Sequence, residues 1–210
     1  MSDHLCADSE VVAAYIELRG RVVQLLRTLP PESADIVVPS CPEWTVAELV
    51  SHLVGVPEDI LTGNMAGVTT DPWTQAQVDR HAGSTLAELA DSFETTGLVF
   101  DDVIAHIPSP SNSQMVMDAV THELDLREAI GDDGARDSAA VTVALGWLRF
   151  AFEDRFGDGS FAAFDDGAID RHEMLRSLTG RRSAAQMTAL GLDAEAIITG
   201  LAGTPLRPPV

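Results

Sequence analysis

Apolar residues recur at helical spacing along most of the chain. Between Val11 and Leu29 the stripe is Val11, Ala14, Tyr15, Leu18, Val22, Leu25, Leu26 and Leu29, the face an amphipathic helix turns toward a core. Pro30-Pro31 ends it. The stretch from Val37 to Trp44 holds Pro39, Cys41 and Pro42 and reads as an ordered connector. Thr45-Val46-Ala47-Glu48 is a capping-box sequence, so a helix starts there. That helix carries Val46, Leu49, Val50 and Leu53 inward with His52 beside them, and Gly55 and Pro57 are expected to interrupt it before a further piece from about Glu58.

A segment opens at Asp71-Pro72-Trp73-Thr74. Ser84-Thr85-Leu86-Ala87-Glu88 then opens a long helix to about Ile107, with Leu86, Leu89, Phe93, Leu98, Val103 and Ile104 apolar and Pro108 and Pro110 closing it. The next helix spans about Ser113 to Ile130 and stops at Gly131. Four principal helices with short or moderate links predict an antiparallel bundle over residues 1–132, a mainly α fold. After Gly131 a polar turn leads into a small, mostly helical C-terminal region, 133–210, read as a domain or extension. It holds a helix from Ala139 to Phe156, a break at Gly157-Asp158-Gly159 and a short extended piece from Phe161 to Ile169. Short helices follow at Arg171–Leu178, Ser183–Leu190 and Asp193–Leu201, before an irregular tail from Pro205.

Composition narrows the function classes. The 210 residues carry a formal net charge of −20, and every basic side chain is Arg. A field of that sign disfavours nucleic acid and anionic membranes. A local Arg cluster can still hold a small anionic substrate. No apolar run approaches the roughly 20 residues of a membrane span, and Met1 to Glu10 has no basic leader pattern. A cytoplasmic protein, monomer or homodimer, is expected. Two cysteines, Cys6 and Cys41, in that setting predict no structural disulfide. Cys41, just before a helix start, reads either as a reactive thiol or as a small buried apolar group at a turn.

The metal-binding candidates are His52, Asp118 and His122. Asp118 and His122 lie four apart on one helix, so both side chains share a face and can chelate one ion. His52 lies on an earlier helix that can face them in a bundle. A core histidine and a surface Asp–His hydrogen bond are the plainer readings of the same residues. His4, His81, His106 and His172 have no comparable setting.

Longer motifs add to this. Cys41-Pro42-Glu43-Trp44-Thr45-Val46, followed by Leu49-Val50-Ser51-His52-Leu53-Val54-Gly55, resembles the first signature of the mycothiol-dependent maleylpyruvate isomerase family, within the DinB-like superfamily. Thr121-His122-Glu123-Leu124-Asp125-Leu126-Arg127 resembles the second, Pro72-Trp73-Thr74 and Gln75 to Arg80 fit the segment between, and Glu173 to Ser183 resembles a C-terminal signature. The resemblance implies a DinB-like four-helix bundle holding a divalent metal through His52, Asp118 and His122. Zinc suits two imidazoles and a carboxylate best, with nickel, ferrous iron and manganese also allowed. The family's isomerase has Glu where this sequence has Asp118, which is one methylene shorter and has to approach more closely or bind through a rotated helix.

The resemblance further implies an enzyme using mycothiol, the small thiol of actinobacteria, for isomerisation or S-transfer on a small electrophilic substrate, anionic ones included. Arg181 and Arg182 are the candidates for binding a carboxylate, with helix capping or a surface role as the alternative. Asp125 and Arg127 are expected to support the site, and Glu123 to point away from it by helical phase. A non-catalytic metal-binding protein of the same fold is the second reading.

Overall fold

The computed structural model describes residues 4–163 and 167–209. Four long helices form its bundle: α1 (Asp8–Thr28), α2 (Val46–Thr62), α4 (Leu86–Ile104) and α5 (Ser111–Ile130), with the shorter α3 (Asp71–Arg80) packed on α2. Two of the starts are capping boxes: the Thr45 hydroxyl accepts from Glu48 N and the Thr85 hydroxyl from Glu88 N, with each glutamate reaching back to the cap. Gly131, with φ 72°, ends α5 in the left-handed region that side chains avoid.

The order of packing follows from named contacts. α1 and α2 lie on a diagonal, each flanked by α4 and α5. α1 runs antiparallel to α4: Arg19 pairs with Asp101, while Arg27, two turns on, pairs with Asp91 and Glu94. It runs parallel to α5: Asp8, at its start, accepts from Asn112 Nδ2 at 2.8 Å, and Arg21 reaches Glu123 at 2.8 Å. The mainly α helical bundle read from the sequence is the observed architecture. The parallel neighbours arise because the link from α1 to α2 is long enough to cross the end of the bundle.

That link is also where the structure departs from the sequence reading. Residues 37–45 form a two-stranded antiparallel hairpin, β1 (Val37–Val38) and β2 (Cys41–Thr45), with Val37 opposite Thr45 and an irregularity after it. Pro39 and Pro42 obscured it; prolines are tolerated here because a two-stranded ribbon has only edges. α2 is likewise continuous through Gly55 and Pro57. Leu53, Val54 and Pro57 are all buried, so core packing holds the helix through a residue that lacks the amide donor. Leu98 is 68% exposed, because the buried stripe of α4 steps through Phe93, Gly97, Phe100 and Ile104 and leaves it off that face.

Beyond Gly131, α6 (Ala139–Phe156) packs on α5 and α1, followed by α7 (Arg171–Leu178), α8 (Ala184–Ala189) and α9 (Ala194–Leu201). The extended piece expected from Phe161 is instead a 3-10 turn over Ser160–Ala163, and residues 164–166 lie outside the described residues. One buried apolar core runs from Val11 to Leu201 and includes α6 and α7 with the bundle. Among the described residues, no helix is long and apolar enough to cross a membrane.

Candidate metal centre

Three of the sequence-predicted residues meet where α2 crosses α5. One ligand atom from each of His52, Asp118 and His122 lies within 4.8 Å of the others. His52 Nε2 is 3.6 Å from one Asp118 oxygen, and His122 Nε2 is 3.7 Å from the other. The two imidazoles meet edge to face, with centroids 4.9 Å apart. Trp44, delivered by β2, sits 5.5 Å from the ring of His52 and 6.0 Å from that of His122. The histidines are buried, while the Asp118 side chain is 41% exposed and opens the cluster to water.

Each imidazole stands at nearly ligand spacing from one oxygen of Asp118. Bonds of about 2.0–2.2 Å at tetrahedral angles hold ligand atoms about 3.3–3.5 Å apart; the two nitrogen-to-oxygen spacings are 3.6 and 3.7 Å, and the three ligand atoms, all within 4.8 Å of one another, have to draw together around an ion. Asp118, though one methylene shorter than Glu, turns one oxygen toward each ring. Both rings are anchored through their other nitrogen. His52 Nδ1 is 2.7 Å from Gln77 Oε1, and His122 Nδ1 is 3.1 Å from Asp125 Oδ2. Anchors of this kind orient metal-ligating histidines.

Without an ion, the three groups titrate together. Burial alone depresses His52, but the adjacent Asp118 and the Gln77 carbonyl outweigh it and raise its pKa above the ordinary value. Burial also depresses His122, and the partial compensation from Asp125 and Asp118 leaves it lowered. Burial works against an ionised Asp118, yet the adjacent imidazoles, His52 first, hold its carboxyl down to about 2.

Behind His122 lies a buried ion cluster. Asp125 is fully buried and accepts from Arg181 at 2.8 Å and from Arg176. Burial disfavours its charge, but the two guanidiniums and His122 hold the carboxyl well below the ordinary range. Arg176 also reaches Ser40 and Glu128 at 2.6 Å each. Arg181 additionally donates to Thr179 O at 2.6 Å and lies 3.6 Å from Cys41 Sγ. Burial pushes the Cys41 thiol up to about 11, with Arg181 opposing. The thiol is therefore protonated at neutral pH.

A model of the mycothiol maleylpyruvate isomerase N-terminal domain matches residues 16–127, more than half of the chain. The chain belongs to that family. The match contains His52, Asp118, His122 and Asp125, and it ends before Arg176, Arg181 and Arg182. No curated protein and no solved structure gives a significant match.

The remaining candidates divide. Arg181 stands beside the cluster but is committed to Asp125, and Arg182 turns away to Glu173 at 2.7 Å. Glu123 is fully buried and points away, paired with Arg21 and Arg127. Arg127, expected to support the site, instead joins Glu123 to Asp132. His4, His81 and His106 are held by Glu153, Glu58 and the Asp102 carbonyl, away from the cluster. In the sequence Trp44 has no role beyond its place in the first signature, and Gln77 carries only a faint signal. Its one signal was spacing, since it lies four residues after Trp73 and shares that residue's buried face on α3.

Proposed function

We propose that the protein is a metal-dependent, thiol-using enzyme of the mycothiol maleylpyruvate isomerase family, acting in the cytoplasm on a small electrophilic substrate. The convergence of two imidazole Nε2 atoms and one carboxylate from α2 and α5, with the carboxylate edge open to water, carries the reading. Three protein donors leave a coordination position free, as in catalytic rather than structural sites. The set suits zinc, with nickel, ferrous iron and manganese as alternatives. A divalent cation held there would favour the thiolate form of a small thiol such as mycothiol.

The chain's own residues do the positioning. Gln77 and Asp125 hold the two rings with Nε2 inward, and Asp118 faces both. Trp44 forms an apolar wall beside them. A thiolate nucleophile in this setting can add to an activated double bond, allow rotation about the resulting single bond and be expelled again, which isomerises the substrate, or form a bond to carbon as a leaving group departs, which is S-transfer. An electrophile screen with and without mycothiol tests the reading. Thiol-dependent turnover of maleylpyruvate, an epoxide or a halogenated acceptor is expected, abolished by His52→Ala. Turnover of none of them would overturn the enzyme reading.

One observation favours the second reading, a metal-binding protein without catalysis. The arginines expected to bind an anionic substrate are both committed, Arg181 to Asp125 and Arg182 to Glu173. In that case metal binding persists with no thiol-dependent reaction.

A further inference from the structure

Behind His52 runs a chain of hydrogen bonds with a fixed direction. Gln77 and Asp59 are both fully buried. Asp59 accepts from Asn64 Nδ2 at 3.0 Å and from Arg80 on one oxygen, and from Gln77 Nε2 at 2.7 Å on the other. Arg80 continues to Glu58 at 2.8 Å, and Glu58 to His81 at 3.0 Å near the surface.

The polarity of this chain decides where a proton sits. A carboxylate only accepts, so the nitrogen of the Gln77 amide faces Asp59 and its oxygen faces His52 Nδ1, 2.7 Å away. An amide oxygen cannot donate, so His52 Nδ1 carries the hydrogen. A neutral imidazole has only one, and Nε2 is left with a bare lone pair aimed at Asp118 and His122.

We propose that Asp59 and Gln77 are positioning residues that lock His52 in the Nδ1–H tautomer, the form able to ligate through Nε2. The inference rests on His52 being a metal ligand, as proposed above. Close packing supports it independently. A Cβ at Gly55 would meet Gln77 Cβ at 2.5 Å and Cγ at 2.7 Å. The glycine therefore lets α3 approach α2 closely enough for Gln77 to reach His52. Trp73 pins the start of α3 by donating to the Asn64 carbonyl at 2.9 Å, and Asn64 in turn holds Asp59.

Asp59→Asn separates direction from shape. Arg80 and Asn64 both donate to one oxygen of Asp59. The new amide therefore keeps its oxygen there and presents its NH2 to Gln77. Gln77 then flips, turns its own NH2 to His52 Nδ1, and forces the hydrogen onto Nε2.

The test is 15N NMR of metal-free full-length protein at alkaline pH, where His52 is neutral, with zinc titration alongside. Wild type is expected to show the Nδ1–H pattern, Asp59→Asn the Nε2–H pattern, with zinc affinity reduced about 10–100-fold. Gln77→Met, which leaves Asp59 its Arg80 and Asn64 partners, is the second variant should Asp59→Asn not fold. It is expected to lower the Nδ1–H fraction and the zinc affinity together. An Nε2–H pattern in wild type, or an unchanged pattern in the folded variants, overturns the proposal. Wild type with the Nδ1–H pattern but no zinc binding upholds the lock and overturns the metal reading instead.

Discussion

Asp125→Asn removes one charge from the most heavily paired carboxylate beside the site. Asp125 is fully buried and receives Arg176, Arg181 and His122. Arg176 keeps Ser40 and Glu128 after the change, whereas Arg181 keeps, among the described residues, the Thr179 carbonyl as its oxygen partner. The variant therefore strands one buried cation rather than two. Removing one partner of a buried ion pair costs about 3–5 kcal/mol, and because Asn preserves shape and one acceptor, about 3 kcal/mol is expected. With a urea slope of about 1–3 kcal/mol/M, the unfolding midpoint of chelated protein falls by about 1 M or more. Arg181→Gln is the partner in a double-mutant cycle, and a coupling of at least about 1 kcal/mol is expected. A midpoint shift under about 0.5 kcal/mol equivalent, or costs that simply add, would refute the view that this buried cluster holds α7 and the following turn to α5.

Three further outcomes follow from the same geometry. Gly55→Ala drives a methyl into Gln77; a loss of about 1–3 kcal/mol in urea unfolding is expected, with weaker zinc binding, and unchanged values for both would contradict the close approach of α3. Thr45→Ala removes the hydroxyl that accepts from Glu48 N, with an expected loss of about 1 kcal/mol by the same assay. For pH, the folded Asp118 carboxyl sits at about 2 against an ordinary 3.8. The unfolded chain thus takes up the proton first, and the stability Asp118 contributes is present above about 4 and lost as pH falls toward about 2. Metal-free wild type should show this acid loss more steeply than Asp118→Asn, and identical profiles would contradict the pairing with the two histidines.

The helices were legible because their apolar stripes, capping boxes and terminal glycine are local signals. Thr45 and Glu48, or Gly131 after Ile130, need no tertiary partner to be read. The i, i+4 relation of Asp118 and His122 is local too, and the bundle supplied His52 opposite them. What was not legible was either masked by local chain breakers or set by approach between distant segments. The hairpin at 37–45 hid behind two prolines, and the commitment of Arg181 to Asp125 spans 56 residues. The role of Gln77 follows from the size of Gly55 and the charge of Asp59, neither of which marks a site in one dimension. Pro57 misled for the opposite reason: its local preference is real, and the buried flanks of α2 override it.

Metal content tests the central claim most directly. Protein purified without chelators is expected to carry a single tightly bound divalent ion per chain by elemental analysis. His52→Ala, with its helical circular dichroism retained, is expected to lose most of it. A wild-type chain that takes up no divalent ion, or full occupancy in the folded variant, would contradict the assignment of His52, Asp118 and His122 as the metal centre.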